Sequence, residues 1–278
     1  MCKGADTMHL ELIGLGKTFF NGAQNGEVRA ISGIDLRIEQ GQFVSIVGPS
    51  GCGKSTLLRI ISGLEKPSVG KVLLDGREIV KPTHDVGLVF QQYALFPWRT
   101  MAENIEFGLE IMGMGKVERR AIAEKYIQLF GMQGFADRYP SQLSGGMQQR
   151  VAIARTLVMN PKLVLMDEPF GSLDSQTRND MQEFLIDLRN ERNDTVLFVT
   201  HNVDEAVFLS DRIVVLSRRP AKILRTFEVN APHPRDRTSK SANDVRREVI
   251  AILKQERMSA SPVDDSVHAL KTFSVLRR

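Results

Sequence analysis

Four runs of the chain place apolar residues side by side: FVSIV (Phe43–Val47), LVLMD (Leu163–Asp167), TVLFVT (Thr195–Thr200) and RIVVLS (Arg212–Ser217). A strand with one wet face alternates apolar and polar residues, so uninterrupted runs mark strands buried on both faces. DVGLVF (Asp85–Phe90) reads as a further strand. Helical patterns lie between them. Ser55–Gly63 puts Leu57, Leu58 and Ile61 on one face, Met101–Phe135 is helix-rich and broken at Gly113 and Gly115, and VAIARTLVM runs to the stop signal Asn160-Pro161. Strands that alternate with helices predict an α/β fold with a mostly parallel sheet covered on both sides.

The 278 residues, 42% hydrophobic and 25% charged, allow one large domain with appendages, with a core that needs no disulfide staples. Of the two cysteines, Cys2 is terminal and Cys52 sits in a glycine-rich loop, so a reducing compartment is expected. Neither a signal peptide nor an apolar stretch of about 18 residues is expected. The net charge of +4 is local. From Ala231 onward there are 10 Lys/Arg against 6 Asp/Glu, and the remainder balances at 27 against 27. A neutral core argues against nucleic-acid binding. Within the basic tail, APHPRDRTSKSAN reads as a linker, and DVRREVIAILKQER as a short amphipathic helix with Val245, Val249, Ile252 and Leu253 on one face.

The first buried strand runs straight into GPSGCGKST: Gly48, Pro49, Ser50, Gly51, Cys52, Gly53, Lys54, Ser55 and Thr56. This is G-x-x-x-x-G-K-[ST] with a strand before it and a helix after it. Bare backbone N–H groups can cradle phosphate oxygens, Lys54 can reach the β/γ-phosphates, Ser55 can hold Mg²⁺, and Thr56 stands where a helix dipole favours an anion. The strand LVLMD delivers Asp167 and Glu168 to the carboxyl end of the sheet, where open α/β sheets bind ligands. Asp167 suits Mg²⁺, and Glu168 suits the activation of water. Gln91 and His201 each follow an apolar strand and can reach a terminal phosphate or its water. His9, His84, His233 and His268 lack such a setting and are expected on the surface.

A second glycine segment, LSGGMQQR (Leu143–Arg150), also opens a helix but carries no lysine. The order GPSGCGKST, Gln91, LSGGMQQR, LVLMDEP, SLD (Ser172–Asp174) and His201 resembles the ATPase subunit of an ABC transporter, over about His9–Asn230. The resemblance implies a P-loop NTPase with an N-terminal antiparallel β part and an inserted helical subdomain at about 92–160. The ATPase domain would span 1–232 and the basic linker and helix 233–278. It implies a head-to-tail homodimer holding two ATP molecules, each between one chain's lysine loop and Ser144, Gly145, Gly146 and Gln148 of the other. By the same carry-over Phe19, or Phe20 in its place, stacks on adenine. Asp174 crosses the interface, and Ser55, Gln91 and Asp167 hold Mg²⁺. The segment Gln91–Trp98 would dock a membrane permease, or else its aromatic rings pack the helical part.

ALFPW followed by R-T-x-x-x-N-I resembles the importers of nitrate, sulfonates, taurine and related solutes. Those work at the cytoplasmic face of the cell membrane with an extracytoplasmic solute-binding protein. A soluble or exporter-type ABC ATPase is the alternative.

Overall fold

The computed structural model describes residues 8–21, 26–233 and 235–258. Two sheets form the frame. The larger has six strands in the order β10-β9-β3-β8-β7-β6. Here β3 is Phe43–Val47, β6 Val86–Val89, β7 Leu163–Asp167, β8 Thr195–Thr200, β9 Arg212–Leu216 and β10 Ile223–Glu228. The pairs β3·β8, β3·β9, β7·β8 and β6·β7 are parallel, and β10 runs antiparallel at the edge. All five residues of β3 and all six of β8 are buried, as their unbroken apolar runs require. The smaller sheet is antiparallel, in the order β2-β1-β4-β5. It comprises β1 (Met8–Asn21), β2 (Gly26–Glu39), β4 (Val69–Leu74) and β5 (Arg77–Glu78).

Helix α1 (Lys54–Ile61) buries Leu57, Leu58, Ile60 and Ile61 in a core shared by the two sheets. Helices α2 (Met101–Ile111), α3 (Lys116–Leu129), α4 (Gly145–Leu157) and α5 (Ser175–Arg192) form a second core on the other face, with Phe130, Phe170 and Phe198 fully buried. Their starts are written in the chain. Thr100 and Glu103 form a reciprocal capping box on α2, Ser144 caps α4 and Asp174 caps α5. Asn193 ends α5 in the left-handed conformation at φ 52°.

Helix α6 (Val203–Leu209) and helix α7 (Lys240–Met258) share a third core with the sheet. Ala242 and Val249 of α7 are buried among Val47, Ile213, Val215 and Phe227, so the tail helix packs on its own chain. The linker before it is not loose either. Arg235 is buried and donates to the carbonyls of Val207, Phe208, Ser210, Val229 and Ala231. A cation suits the free carbonyls at the end of α6. Among the described residues no helix is long and apolar enough to cross a membrane.

Two of the histidines expected on the surface are not there. His9 is 4% exposed, with Nδ1 2.7 Å from Asp75 and Nε2 2.9 Å from the Lys162 carbonyl. His233 is half-buried beside Arg189, and burial together with Arg235 and Arg189 lowers its pKa to about 4. His84 is exposed as expected, and His268 lies outside the described residues.

Candidate functional site

Parallel register brings the carboxyl ends of four strands side by side. Val47 pairs with Thr200, Asp167 with Val199 and Val89 with Met166. The residues that follow those ends, Gly48, Glu168, His201 and Gln91, therefore emerge along one edge. The loop after β3 wraps back so that Lys54, 5% exposed, donates to the carbonyls of Gly48 (2.9 Å) and Pro49 (3.1 Å). Its Nζ is 3.9 Å from Glu168 Oε1. Gly53 adopts φ 124°, open only to glycine, and a Cβ there would sit 3.1 Å from the Ala30 carbonyl. A Cβ on Gly48 would meet Cys52 Sγ at 3.0 Å and Leu216 at 3.2 Å. The Cys52 thiol is buried and its pKa is raised by that burial. Ser50 and Gly51 are exposed at the loop's outer side, with Pro49 partly covered.

Three polar side chains face this loop. Ser55 Oγ donates to Asp167 Oδ1 at 3.2 Å. Desolvation raises the pKa of Asp167, the Ser55 hydrogen bond opposes the rise, and the neighbouring Glu168 charge adds to it. Glu168 sits at φ 45°, a region non-glycine residues seldom occupy, with its N–H on the Val199 carbonyl at 2.8 Å. Its Oε2 is 2.8 Å from His201 Nδ1, and the His201 ring is 59% exposed. A carboxylate that touches both a lysine and an imidazole is arranged to hold and orient a water at the open edge. Gln91, also exposed, lies just past β6 in the same row.

The paired oxygens of Ser55 and Asp167 suit a hard cation. Among the described residues no three His, Cys, Asp or Glu side chains gather around a metal site. A cation here would be completed by phosphate oxygens and water, which is how Mg²⁺ is commonly held. Phe19, 39% exposed, pairs across β1·β2 with Val28, close along β2 to the Ala30 carbonyl that touches the loop. Lys17 Nζ lies 4.9 Å from its ring centroid, and Phe20 is 76% exposed.

The second glycine segment lies elsewhere. Ser144 and Gly145 are exposed, and the Ser144 hydroxyl accepts the Met147 N–H at 3.3 Å. A Cβ on Gly145 would meet the Tyr93 hydroxyl at 3.1 Å, and one on Gly146 would meet Thr177 at 2.7 Å. Tyr93 in turn bonds Ser172. The segment thus rests on the start of α5, near Asp174, whose carboxylate accepts the N–H groups of Gln176 and Thr177. Gln148 donates to the Pro140 and Leu143 carbonyls and bends the chain into α4. Among the described residues, no hydrogen bond or ion pair joins Ser144–Gln148 to the Lys54 loop.

Two supporting roles do not show in the sequence, although Asn104 is the asparagine of R-T-x-x-x-N-I. Glu205, 5% exposed, accepts from Thr200 Oγ1 at 2.6 Å, and the same hydroxyl accepts the Asn202 N–H at 3.0 Å. Together they fix the turn that presents His201. Glu205 stands at the third helical position after the Asn202 cap, where a glutamate ordinarily reaches back to the cap; its burial signals the different partner. Asn104, fully buried, is the second. Its carbonyl oxygen accepts the Phe96 N–H, and its amide nitrogen reaches the carbonyls of Phe96, Arg99 and Thr100. That holds the loop bearing Trp98, which is 71% exposed.

Residues 31–171 match the family described as ABC transporter. The nitrate import ATP-binding protein NrtD of Synechocystis sp. is 46% identical over 241 residues, 87% of this chain and 90% of that one. The aliphatic sulfonates import ATP-binding protein SsuB of Bacillus cereus is 42% identical over 243 residues, 87% and 95% of the two chains. Among solved structures, a dimeric ATP-binding cassette in a post-hydrolysis state with ADP and Pi has a TM-score of 0.70 and 36% identity, covering 80% of this chain and all of that one. The chain belongs to the ABC transporter family, as one of its ATP-binding, ATP-hydrolysing subunits.

Proposed function

We propose that this ATPase powers a membrane importer from the cytoplasmic face, as a peripheral homodimer that docks on permease subunits. The observation that carries the reading is the separation of the two glycine segments. Lys54, Ser55, Asp167, Glu168 and His201 meet at one sheet edge, while Ser144 and Gly145 lie exposed at the start of α4, bonded to none of them among the described residues. Two chains packed head-to-tail would complete two sites, each holding ATP between the Lys54 loop of one and Ser144–Gly146 of the other. ATP then links binding to dimer closure, and hydrolysis reverses it.

In that reading the loop N–H groups, Lys54 and Thr56 hold the phosphates, and Phe19 stacks on the base. Ser55, Gln91 and Asp167 would hold Mg²⁺, which when bound offsets phosphate charge. Glu168 takes a proton from the attacking water, and His201, steadied by Glu168 and by the Thr200–Glu205 turn, supports the transferring phosphoryl group. Gln148 positions the second segment, and Asp174 lies where a partner chain would cross. The ATPase domain is assigned to 1–232, with a helical part at about 92–160 and the tail from 233.

For the permease, the Gln91–Trp98 region borders an apolar groove of about 400 Å³ walled by Phe90, Phe96, Phe107, Ile111 and Met159. Exposed aromatic and aliphatic side chains around such a groove suit a short amphipathic helix. The cargo would be nitrate, a sulfonate, taurine or a related solute delivered by an extracytoplasmic binding protein. Relatives named for nitrate and for sulfonates differ little in identity to this chain, as expected of a subunit that never touches the solute. No nucleic acid is involved.

The test is a pull-down of the tagged chain from gently solubilised native membranes, with Trp98→Ala alongside. A polytopic membrane protein should co-purify with the parent and be depleted from the variant. Recovery of soluble partners alone would overturn the importer reading in favour of a soluble ABC ATPase. A permease recovered without any gene for a solute-binding protein beside it would favour export.

A further inference from the structure

The turn between β9 and β10, Ser217–Ala221, touches three things at once. On one side it touches the phosphate loop, where Arg219 Nη2 donates to the Gly51 carbonyl at 2.8 Å. Leu216, just before the turn, and Ala221, at its end, flank the same loop: a Cβ on Gly48 would be 3.2 Å from Leu216, and one on Gly53 would be 3.6 Å from Ala221. On a second side the turn is sewn to β2, where Ala221 donates to Ala30 O at 2.9 Å and accepts from Ser32 N at 3.0 Å. The third contact comes from the tail. In the last turns of α7, Glu256 Oε2 accepts the Arg218 N–H at 2.8 Å.

We propose that α7 is a positioning arm for the nucleotide site: Glu256 fixes the turn, and Arg219 on that turn fixes the phosphate loop through Gly51. The inference rests on the reading of Gly48–Thr56 as the ATP phosphate cradle. The Gly51 carbonyl and the Cys52 N–H belong to one rigid peptide unit. Arg219 holds its oxygen, and the Pro49 carbonyl holds its N–H at 3.3 Å. A loop with three glycines loses much conformational freedom when it orders around phosphate. Pinning one of its peptide units beforehand lowers the cost of binding. The arm is anchored independently of this contact. Val249 is fully buried, and Arg225 and Arg246 pair with Glu248 (2.9 Å) and Asp204 (2.6 Å) across the α7 contacts. Losing the Glu256–Arg218 contact therefore leaves α7 seated through these residues while the turn loses its hold on the tail.

The geometry makes Arg219 and Glu256 positioning residues for binding, and it places neither on the reacting atoms. The test is steady-state ATP hydrolysis by the full chain as parent, Arg219→Ala, Glu256→Ala, Glu256→Gln and the Arg219→Ala/Glu256→Ala double variant. KM for ATP should rise about three- to tenfold in Arg219→Ala, somewhat less in Glu256→Ala, with kcat falling less than twofold. Glu256→Gln keeps an oxygen that accepts the Arg218 N–H, so its KM should return to near the parent value. The double variant should be no worse than Arg219→Ala, because the two residues act in series. Parent-like KM in both alanine variants, Glu256→Gln as impaired as Glu256→Ala, or additive effects would each overturn the arm. A parent chain that fails to bind ATP would instead overturn the assignment of the cradle.

Discussion

The two glycine-rich segments of this chain start alike and end in opposite surroundings. Around Gly48–Thr56 the polar groups are gathered in. Lys54 is buried on two carbonyls, Ser55 reaches Asp167, and Glu168 connects Lys54 to His201. Around Ser144–Gly146 the Ser144 hydroxyl and Gly145 are exposed, and among the described residues no hydrogen bond or ion pair joins the segment to a cation or a carboxylate. The first setting can neutralise a polyphosphate by itself. The second offers neutral donors and a helix N-terminus, a weak anion site alone and a useful one against phosphate already neutralised elsewhere. Similar composition therefore does not mean duplicate function. In the proposed dimer the segments are two halves of one site, supplied by different chains.

Mixing two defective chains is the largest test of that difference. Lys54→Ala disables the first segment and Ser144→Arg the second, and each variant alone should lose at least about 100-fold in hydrolysis. Combined one to one, random pairing makes half of the dimers mixed, each with one intact site, so about a quarter of the parent rate should return. If each segment served only its own chain, the mixture would stay dead, and the comparison would break.

Glu168→Gln sharpens the same comparison. The amide keeps the shape of the side chain and loses the base, so hydrolysis should fall by about 100-fold or more while ATP still binds. The variant should then elute as an ATP-dependent dimer in size-exclusion chromatography with light scattering, because ATP stays between the two segments. Hydrolysis near the parent rate would remove Glu168 from its role.

How far the site can be read from the sequence follows from local geometry. Lys54, Ser55, Asp167, Glu168 and His201 each stand within a few residues of a buried strand end, and parallel register does the rest. The caps Ser144, Asp174 and Thr100 are local in the same way, because each binds backbone groups within three residues. What was illegible depends on distant partners. His9 is buried by Asp75 and by a carbonyl 153 residues away, so nothing near it in the chain foretold burial. Arg235 hides in a stretch with the composition of a linker, since its partners are backbone carbonyls that carry no sequence signal. Strand β10 has one buried residue in six, Phe227, and its edge position removes the apolar run that marks its neighbours.

The smallest effect separates the two duties of Ser144. In the isolated chain its hydroxyl caps α4 by accepting the Met147 N–H; in the paired chain it would face phosphate. Replacing it with alanine removes the cap and adds no bulk. Loss of an N-cap costs about 1 kcal/mol, which in a chain of this size lowers the melting temperature by about 2–4 °C. Glycine at the same position costs only a few tenths of a kcal/mol, because a bare backbone lets water reach the free N–H groups. Stability should therefore rank parent, Ser144→Gly, Ser144→Ala. Hydrolysis should not follow that order, because both variants lose the hydroxyl that would meet phosphate, and both should slow by a similar factor. A thermal melt and a rate assay on the same three proteins read the two rankings. If the rates tracked the melting temperatures, Ser144 would be a helix cap and nothing more, and the second segment would have to act through its backbone N–H groups alone.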